Sequence, residues 1–313
     1  MLRQAAKPVV FAIGGSAPVL ARRLKRVRDA GVATILNLHR VAPHDRSAYP
    51  PLDPALFEEL LEFVGHEFSV VPLAGLQCPS AKPKLVLSFD DGYRDFIEYA
   101  LPAMRRRGFK PNQNVIPQCL ESGLPPLNVM VQDFIGQAPA AVSAALEVPG
   151  FTGPSTNNLA AELSDFIRYS RADHQDLLHD ALVRQLFAWE PFKPTPMMSP
   201  ADVRDTSNWV EYGAHSYSHA SMGLESEAYL RSDVAMCRTY FTEQLAVPMT
   251  IYAFPNGSFS AGQIDVVQSM GIDHVLLVGE AFDDGSAVHH RFTFDAYGSA
   301  EVRFKACGGF IAP

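Results

Sequence analysis

Short runs of consecutive apolar residues alternate along the chain with segments in which apolar residues recur every three or four positions. The runs are typical of buried parallel strands, and the recurring pattern is typical of amphipathic helices. Residues 32–38 and 84–89 are strands of this kind, and residues 54–64 and 93–107 are helices. Because strands and helices alternate, the pattern predicts an α/β protein with a mostly parallel sheet. Further strands are predicted at 68–71, 114–116, 209–214, 250–254 and 274–278, and further helices at about 226–246 and 260–270.

The alternation breaks between about residues 120 and 200. Proline-rich joints there surround two helical patterns, at 158–169 and 175–189. No strand pattern accompanies them, so we interpret this stretch as a helical insertion rather than an independent domain. The predicted organisation is an N-terminal segment over residues 1–30 and an α/β barrel over residues 31–313 that contains the insertion.

The N-terminal segment has an unusual charge pattern. Residues 1–28 carry seven Lys and Arg side chains and no acidic residue, and their apolar run at 8–20 is shorter than the roughly 20 residues that span a bilayer. A secretory signal is an alternative, but the dense basic stretch that follows is a poor cleavage region. We favour a peripheral segment at a membrane surface, although an arm packed on the body or on a second subunit fits equally well. The residues of its apolar stripe would be Val19, Leu20, Leu24 and Val27.

Charge and cysteine content narrow the class of protein. The 313 residues carry a formal net charge of -8, which argues against a nucleic-acid partner. The four cysteines are far apart and form no CxxC pair, so they indicate neither a disulfide framework nor a zinc ribbon. We therefore expect reduced thiols in a cytoplasmic protein, which the basic segment would hold at a membrane; a secreted or periplasmic protein is less favoured.

The strand at residues 84–89 ends in two adjacent carboxylates, Asp90 and Asp91, followed by Gly92. Consecutive strand residues point to opposite faces, so both carboxylates enter one cavity only where the backbone turns, and Gly92 permits such a turn. Catalytic groups gather at the carboxyl ends of the strands in parallel α/β barrels. An Asp-Gly turn without chemistry is the alternative, but a helix rather than a partner strand follows.

A second polar motif follows the strand at residues 209–214. His215 and His219 are four residues apart, which places them on the same side of a helical turn and close enough to bind one metal ion. Neutral imidazoles suit zinc, and a carboxylate commonly completes a three-ligand set with one open position. Surface or capping histidines are the alternative, and the presence of two such motifs at strand ends makes it less favoured.

The two motifs resemble those of a known family, the NodB-type polysaccharide deacetylases of carbohydrate esterase family 4. Ser88-Phe-Asp-Asp-Gly92 looks like the family's Asp-Asp-Gly motif, and His215-Ser-Tyr-Ser-His219 is similar to its His-(Ser/Thr)-x-x-His motif. Two weaker similarities support them, Ala253-Phe-Pro-Asn-Gly257 to a Pro-Tyr-Gly motif and Leu36-Asn-Leu-His-Arg-Val41 to a Tyr-His-x-Val opening. The resemblance covers about residues 31–111 and 200–280.

The resemblance implies a distorted (β/α) barrel and a role for each matching residue. It implies one divalent ion, zinc first and otherwise nickel, cobalt, iron or manganese, on Asp91, His215 and His219, with Asp90 as catalytic base. The backbone N–H of Asn256 would then stabilise the oxyanion. Pro255 and Gly257 would shape that loop next to the substrate.

The chain also departs from the family. The usual Arg before the Pro-Tyr-Gly motif is absent, and Arg291 is our candidate for orienting Asp90. The motif that supplies the family's general acid is not recognisable; Asp273-His274, His289 and His290 are the candidates, and we favour His290. Residues expected near the substrate are Tyr93, Asn114 and His39.

These residues predict metal-dependent hydrolysis of a small N-acyl group, acetyl or formyl, from an amino sugar of a polysaccharide or lipid-linked glycan. An O-acyl esterase with the same fold is one alternative. A carbohydrate-binding barrel without turnover is another, but it would not need Asp90 beside a metal-binding carboxylate. The expected partner is an N-acylated glycan. The sequence does not indicate an oligomeric state.

Overall fold

Eight parallel strands form one sheet in the computed structural model, which describes residues 10–312. The first strand pairs with both the third and the eighth, so seven strands close into a barrel, and the second pairs only with the third. This confirms the predicted (β/α) barrel. The strands are β1 (Ala33–Leu38), β2 (Ser69–Val70), β3 (Lys84–Phe89), β4 (Asn112–Val115), β5 (Glu211–Ala214), β6 (Ile251–Ala253), β7 (His274–Val278) and β8 (Val288–Thr293).

Helices surround the barrel and connect its strands. Those outside the insertion are α1 (Ala17–Ala30), α2 (Pro54–Glu67), α3 (Leu101–Arg105), α10 (Glu227–Tyr240), α11 (Ala261–Ser269) and α12 (Ser299–Ala306). Those between β4 and β5 are α4 (Pro117–Ser122), α5 (Leu127–Gln137), α6 (Ala140–Ser143), α7 (Leu159–Arg168), α8 (Ala172–Ala188) and α9 (Pro200–Thr206).

Alternation along the strands gives the barrel two different faces. Outward residues such as Leu36, Leu85 and Leu87 pack against the surrounding helices in the largest apolar cluster. Inward residues near the amino ends of the strands, such as Ile35 and Val86, form a smaller apolar cluster. Polar side chains follow at the inward positions nearer the carboxyl ends, and they are buried too: Asn37, Ser88, Asn112, Asn114 and Arg291.

The predicted helical insertion has an apolar core of its own. Its members come from α5, α7 and α8 and form a cluster distinct from the one around the barrel. Leu178, Leu182 and Leu186 recur on one face of α8, as the spacing predicts, and all three are fully buried. A smaller cluster that includes Tyr93 and Cys119 lies between the insertion and the carboxyl end of β3.

The basic N-terminal segment forms a helix over the part that the structure describes. In α1 the predicted stripe residues Leu20, Leu24 and Val27 are buried and join the cluster around the barrel. The stripe, apart from the half-buried Val19, therefore packs on the body of the protein, as in the alternative of a packed arm. Residues 1–9 of the predicted segment lie outside the described residues. No helix of residues 10–312 is both long and apolar enough to cross a membrane.

Several parts of the chain differ from the predicted pattern. The helix predicted at 93–107 is a π-helical turn, Phe96–Ala100, followed by α3. Pro102 has no N–H to donate to the preceding turn, which accounts for the irregularity. The strand β8 was not predicted, because residues 288–293 include two histidines and an arginine rather than an apolar run. The helices α4, α5, α6, α9 and α12 were not predicted either.

Candidate metal centre and active site

Asp91, His215 and His219 meet at the carboxyl ends of β3 and β5. Asp91 Oδ1 lies 3.4 Å from His215 Nε2 and 3.5 Å from His219 Nε2. All three residues are buried, and each offers one ligand atom within 4.8 Å of the others. Side chains on two loops thus point three donor atoms at one point, the arrangement that binds a divalent ion with an open position.

The polar atoms of this group support the presence of a cation. Asp91 Oδ1 is buried and accepts no hydrogen bond from the described residues. A buried carboxylate oxygen without a partner costs about 1–3 kcal/mol or more. A divalent ion would remove that cost, and one carboxylate with two imidazoles is a donor set that suits zinc. The three residues therefore fit a metal ion.

Backbone conformation is unusual at this site. Six non-glycine residues in the described chain have positive φ, and four of them are Asp91 (φ 76°), Ser216 (φ 60°), His219 (φ 65°) and Asn256 (φ 58°). Left-handed conformations of non-glycine residues are disfavoured and concentrate at functional sites. The turn that we expected Gly92 to permit thus begins one residue earlier, at Asp91.

The two histidines are not on a helical turn, contrary to the reason given for their spacing. Residues 215–219 form a loop, and its left-handed residues bring the two rings together. Asp233, on α10, holds this loop in place through hydrogen bonds. Its Oδ1 accepts hydrogen bonds from Ser216 Oγ and Tyr217 N, both 2.9 Å long, and its Oδ2 accepts one from Tyr252 Oη at 3.0 Å.

Both histidines are prepared to act as neutral ligands. Burial lowers the pKa of His215 and of His219 to about 4, and for both it outweighs the opposing effect of Asp90. The Nδ1 of His215 lies 2.9 Å from the carbonyl oxygen of Ala253, so that nitrogen carries the proton and Nε2 faces Asp91. A backbone carbonyl that orients a metal-binding imidazole in this way is a common second partner in metal sites.

Asp90 is held quite differently from its neighbour Asp91. The guanidinium of Arg291 binds both of its oxygens, with NH1 2.7 Å from Oδ1 and NH2 2.9 Å from Oδ2. Asn114 Nδ2 donates a third hydrogen bond to Oδ1 at 2.7 Å. Burial alone would raise the pKa of Asp90, but Arg291 and then His215 outweigh it, so the pKa lies well below its usual range. Asp90 is therefore a carboxylate at neutral pH, and its Oδ2 is 3.9 Å from His215 Nε2.

Arg291 itself is fixed from several sides. It is fully buried inside the barrel, where its NH1 also donates to Asn37 Oδ1 at 3.1 Å and to Ser88 Oγ at 3.0 Å. Asn114 donates further hydrogen bonds to the carbonyl oxygen of Phe89 and to the side chain of Asn112. The amide of Asn114 is thus engaged with Asp90 and the barrel interior, not with the space that a substrate would enter.

The loop over residues 255–257 directly follows β6, the neighbour of β5 in the barrel. Pro255 starts a single 3-10 turn, and Gly257 has a positive φ of 63°. The side chain of Asn256 donates a hydrogen bond to Ser221 Oγ at 3.0 Å. Its backbone N–H donates no hydrogen bond to another group of residues 10–312, so this amide is available to a ligand.

Two aromatic side chains and a histidine lie near the carboxylates. Tyr93 is fully buried with its hydroxyl beside Asp91; burial first, and then Asp91, raises the pKa of Tyr93. His39 is half-buried and close enough to Asp90 and His219 to affect the pKa of each. Its ring lies edge-on to Tyr49, which the sequence gave no reason to single out.

The predicted general acid is not part of this group. On β8, Arg291 points into the barrel, so its neighbour His290 occupies the outward face, next to Gly279. The other histidines considered for this role lie at the amino ends of the strands. There His289 contacts both His274 and Asp283, away from Asp90.

Two cavities lie beside the site. One, of about 370 Å³, lies between the insertion and the loop that carries His219, and its walls include Gln118 and Asn128. The other, of about 190 Å³, is lined by His39 and Tyr49 and by residues that follow β8. His219 thus lines the cavity beside the insertion, and His39 lines the cavity beside the end of β8.

A family model supports the resemblance inferred from the motifs. Residues 197–275, which include both histidines, match the model described as polysaccharide deacetylase. No curated protein matches the chain. Together with the barrel, the match confirms the resemblance to the polysaccharide deacetylases.

Solved structures of deacetylases have the same fold. IcaB from Ammonifex degensii is 15% identical, with a TM-score of 0.57 over 88% of this chain and 97% of that chain. The Streptococcus pyogenes deacetylase PplD, solved with acetate, is 14% identical, with a TM-score of 0.55 over 84% of this chain and 92% of that chain. A de-N-acetylase from Aggregatibacter actinomycetemcomitans is 14% identical, with a TM-score of 0.53 over 84% and 95%. At these identities the likeness concerns the fold.

Proposed function

We propose that this protein is a metal-dependent N-deacylase that removes a small acyl group from an amino sugar of a glycan. The observation that carries the proposal is the contrast between two adjacent carboxylates. Asp91 has a buried oxygen without a partner beside two neutral imidazoles, whereas Asp90 is held as an anion by Arg291. Asp91 is suited to bind a cation, and Asp90 is an ionised carboxylate fixed beside it, which are the two groups that amide hydrolysis at a metal requires.

Asp91, His215 and His219 would hold the metal ion. A divalent ion bound there would supply a Lewis acid for the acyl carbonyl and would lower the pKa of water. Zinc is the first candidate, and nickel, cobalt, iron and manganese are also compatible with two imidazoles and a carboxylate. The ion that copurifies with the protein can be identified by elemental analysis.

Asp90 would act as the base. Its Oδ2 faces the same space as His215 Nε2, 3.9 Å away, and it would accept a proton from the attacking water as that water adds to the acyl carbon. Arg291 and Asn114 would hold the carboxylate in position through the transfer.

The chain also offers groups for the oxyanion and for the departing amine. The free backbone N–H of Asn256 would donate a hydrogen bond to the oxygen of the tetrahedral intermediate. His39, which lies close to Asp90 and His219, would protonate the amine as the C–N bond breaks. The cavity toward the insertion, lined by amides and hydroxyls, would receive neighbouring sugars.

The direct test is Asp90→Asn in the metal-loaded protein, assayed for acetate release from N-acetylglucosamine oligomers. We expect kcat to fall by about two to four orders of magnitude, because a general base is lost while the metal site remains. Asp265→Asn, an exposed aspartate on α11, is the matched control and should leave kcat unchanged. An Asp90→Asn protein that is as fast as the wild type would show that Asp90 is not the base.

The acyl group is a separate question that the same assay can answer. Matched N-acetyl, N-formyl and O-acetyl sugars should be compared by release of acetate and formate. We expect hydrolysis of the N-acyl sugars. Preferential release from the O-acetyl sugar would instead identify an esterase, and equal rates on N-acetyl and N-formyl sugars would exclude a preference for formyl.

A further inference from the structure

Asn256 has a backbone conformation that needs support from its surroundings. Its φ of 58° and ψ of 12° lie in the left-handed region, which is disfavoured for a residue with a Cβ. Such a residue persists there where neighbouring contacts fix it. The side chain of Asn256 makes a contact of this kind, because its Nδ2 donates a hydrogen bond to Ser221 Oγ at 3.0 Å. The conformation of residue 256 is therefore tied to Ser221.

Ser221 is buried, and its hydroxyl is used in both directions. The side chain is 1% exposed, and its Oγ also donates a hydrogen bond to the carbonyl oxygen of Arg168. A carbonyl oxygen can only accept, so the single hydroxyl proton points to Arg168 and a lone pair is left for the Asn256 amide. The contact with Arg168 thus fixes the direction of the contact with Asn256.

Arg168 is the last residue of α7, in the helical insertion. The carbonyl groups in the last turn of a helix have no partner within that helix, and Ser221 supplies one for Arg168. The position of α7 is set by the insertion's own apolar core, which includes Leu163 and Ile167. A chain of contacts therefore runs from the insertion through Ser221 to Asn256.

A second set of contacts runs in parallel through residues 221–225. On the side of the insertion, Glu225 Oε1 accepts a hydrogen bond of 2.8 Å from the backbone N–H of Ala172, at the start of α8. On the other side, Gly223 N donates to the carbonyl oxygen of Ser258 at 3.1 Å. A Cβ added at Gly223 would lie 2.8 Å from Ser258 Oγ, so the two backbones are in close contact. This segment thus lies directly between the insertion and the loop that carries Asn256.

We propose that Ser221 is a positioning residue for the backbone N–H of Asn256, with the insertion as its support. The proposal rests on the proposed deacylase function, in which this N–H stabilises the oxyanion. Ser221 acts through the Asn256 side chain, which it holds so that residue 256 stays left-handed. The insertion would then help to position a reacting group, in addition to forming a wall of the cavity beside His219.

The first test is Ser221→Ala in the metal-loaded protein, assayed on N-acetylglucosamine oligomers. We expect kcat to fall by about tenfold or more and KM to change less than about twofold, because an oxyanion donor acts in the transition state. Metal affinity should be unchanged, which separates this effect from damage to His219. Ser164→Ala removes another buried hydroxyl, one on α7 that accepts a hydrogen bond from Gln132, and should keep the wild-type kcat. A wild-type kcat in Ser221→Ala, or a change confined to KM, would overturn the proposal.

Variants of Asn256 show whether the effect passes through its side chain. Asn256→Ala and Asn256→Gly both lose the amide and keep the backbone N–H, but only glycine adopts left-handed backbone freely. We expect Asn256→Ala to lower kcat as much as Ser221→Ala does, and Asn256→Gly to lower it less. The double variant Ser221→Ala with Asn256→Ala should be no slower than either single variant, since both remove the same contact. Additive losses in the double variant would show that the two residues act separately and would overturn the proposal.

Hydrogen exchange of the Asn256 amide, followed by NMR, gives a readout without turnover. The probe is acetate, the product expected from an N-acetyl sugar, whose carboxylate would accept a hydrogen bond from this amide. Saturating acetate should slow the exchange at least about threefold in the zinc-loaded wild type and less in Ser221→Ala. Equal slowing in the two proteins would overturn the proposal.

The remaining outcomes separate this proposal from the one on which it rests. No slowing in the wild type would exclude Asn256 as the oxyanion donor and, with it, the role of Ser221. Slowing in the wild type but not in Ser221→Ala, without acetate release from any N-acyl sugar, would contradict the deacylase function and support the positioning role.

Discussion

An aspartate and two histidines meet at each end of the barrel, and the two groups are built differently. At the carboxyl ends of the strands, Asp91 Oδ1 lies 3.4 and 3.5 Å from the Nε2 atoms of His215 and His219. At the amino ends, Asp283, His289 and His274 form a linear chain. His289 Nδ1 is 2.9 Å from Asp283 Oδ2, and His289 Nε2 is 2.8 Å from His274 Nδ1.

The difference separates the candidate metal site from a structural cluster of the same residue types. In the chain at the amino ends, both ring nitrogens of His289 have partners, and Asp283 Oδ1 accepts a hydrogen bond from Gly285 N. The polar atoms of His289 and Asp283 therefore all have hydrogen-bond partners. At the carboxyl ends, by contrast, the donor atoms face one point and Asp91 Oδ1 has no partner among the described residues. Donor atoms that face one point and lack hydrogen-bond partners indicate a bound ion, whereas the presence of an aspartate and two histidines alone does not.

The strongest test replaces one histidine in each group by leucine. We expect His219→Leu to lose bound metal, because only two of the three donors remain. His289→Leu should keep the wild-type stoichiometry. Elemental analysis after gel filtration measures both. Metal retained in His219→Leu and lost in His289→Leu would reverse the assignment of the two ends.

The same pair of variants should have the opposite effect on the stability of the metal-free protein. His289→Leu leaves a buried Asp283 oxygen without its partner, so we expect the free energy of unfolding to fall by about 1–3 kcal/mol. His219→Leu should change it less, because the nearest polar atom to His219 Nε2, Asp91 Oδ1 at 3.5 Å, forms no hydrogen bond with it. Urea denaturation in the presence of a chelator measures both values. A smaller loss in His289→Leu than in His219→Leu would contradict this.

A smaller effect is expected from Asp233, which fixes the histidine loop without facing the metal. Asp233→Asn should weaken metal binding by about tenfold, since groups that orient ligands typically contribute 10- to 100-fold. Asp133→Asn alters another buried aspartate, one that accepts a hydrogen bond from Thr195 N in the insertion, and should leave metal affinity unchanged. Competition with a chromophoric chelator gives both affinities, and equal affinities in the two variants would exclude this role for Asp233.

The smallest expected effect is a change in the pH dependence of stability. Burial lowers the pKa of His215 and His219 from 6.5 to about 4 in the metal-free protein, so the unfolded chain binds more protons in this window. Stability should therefore fall as the pH decreases from about 6.5 to 4. His219→Leu removes one of these groups and should flatten the fall, and His274→Gln should flatten it less, because His274 is only half-buried. Urea midpoints across this pH range would show identical slopes if the reasoning is wrong.

The sequence indicated the barrel and the central residues because both depend on local patterns. Apolar runs marked β1 and β3, and polar residues directly after strands converge in any parallel barrel. Arg291 was selected without its strand, since Val288–Thr293 lacks an apolar run. Had β8 been recognised, alternation would have separated Arg291, inside the barrel, from His290, on the outer face. The same alternation turns the Asn114 amide toward Asp90.

Other features had no local signal. Asp233 lies in an ordinary amphipathic helix, and only the fold brings it within hydrogen-bonding distance of Ser216. The spacing of His215 and His219 suggested a helical turn. In the structure the two rings are brought together in a loop instead, by left-handed backbone at Ser216 and His219. These features depend on tertiary contacts, which the spacing of apolar residues along the sequence does not predict.

The ion pair between Asp90 and Arg291 joins residues 201 positions apart in the chain. During synthesis, the carboxylate is therefore made long before its counter-charge, and a nascent chain that ends before β8 would have to bury Asp90 without compensation or leave the barrel open. The proposed base therefore gains its guanidinium partner only after the last strand of the barrel has been made.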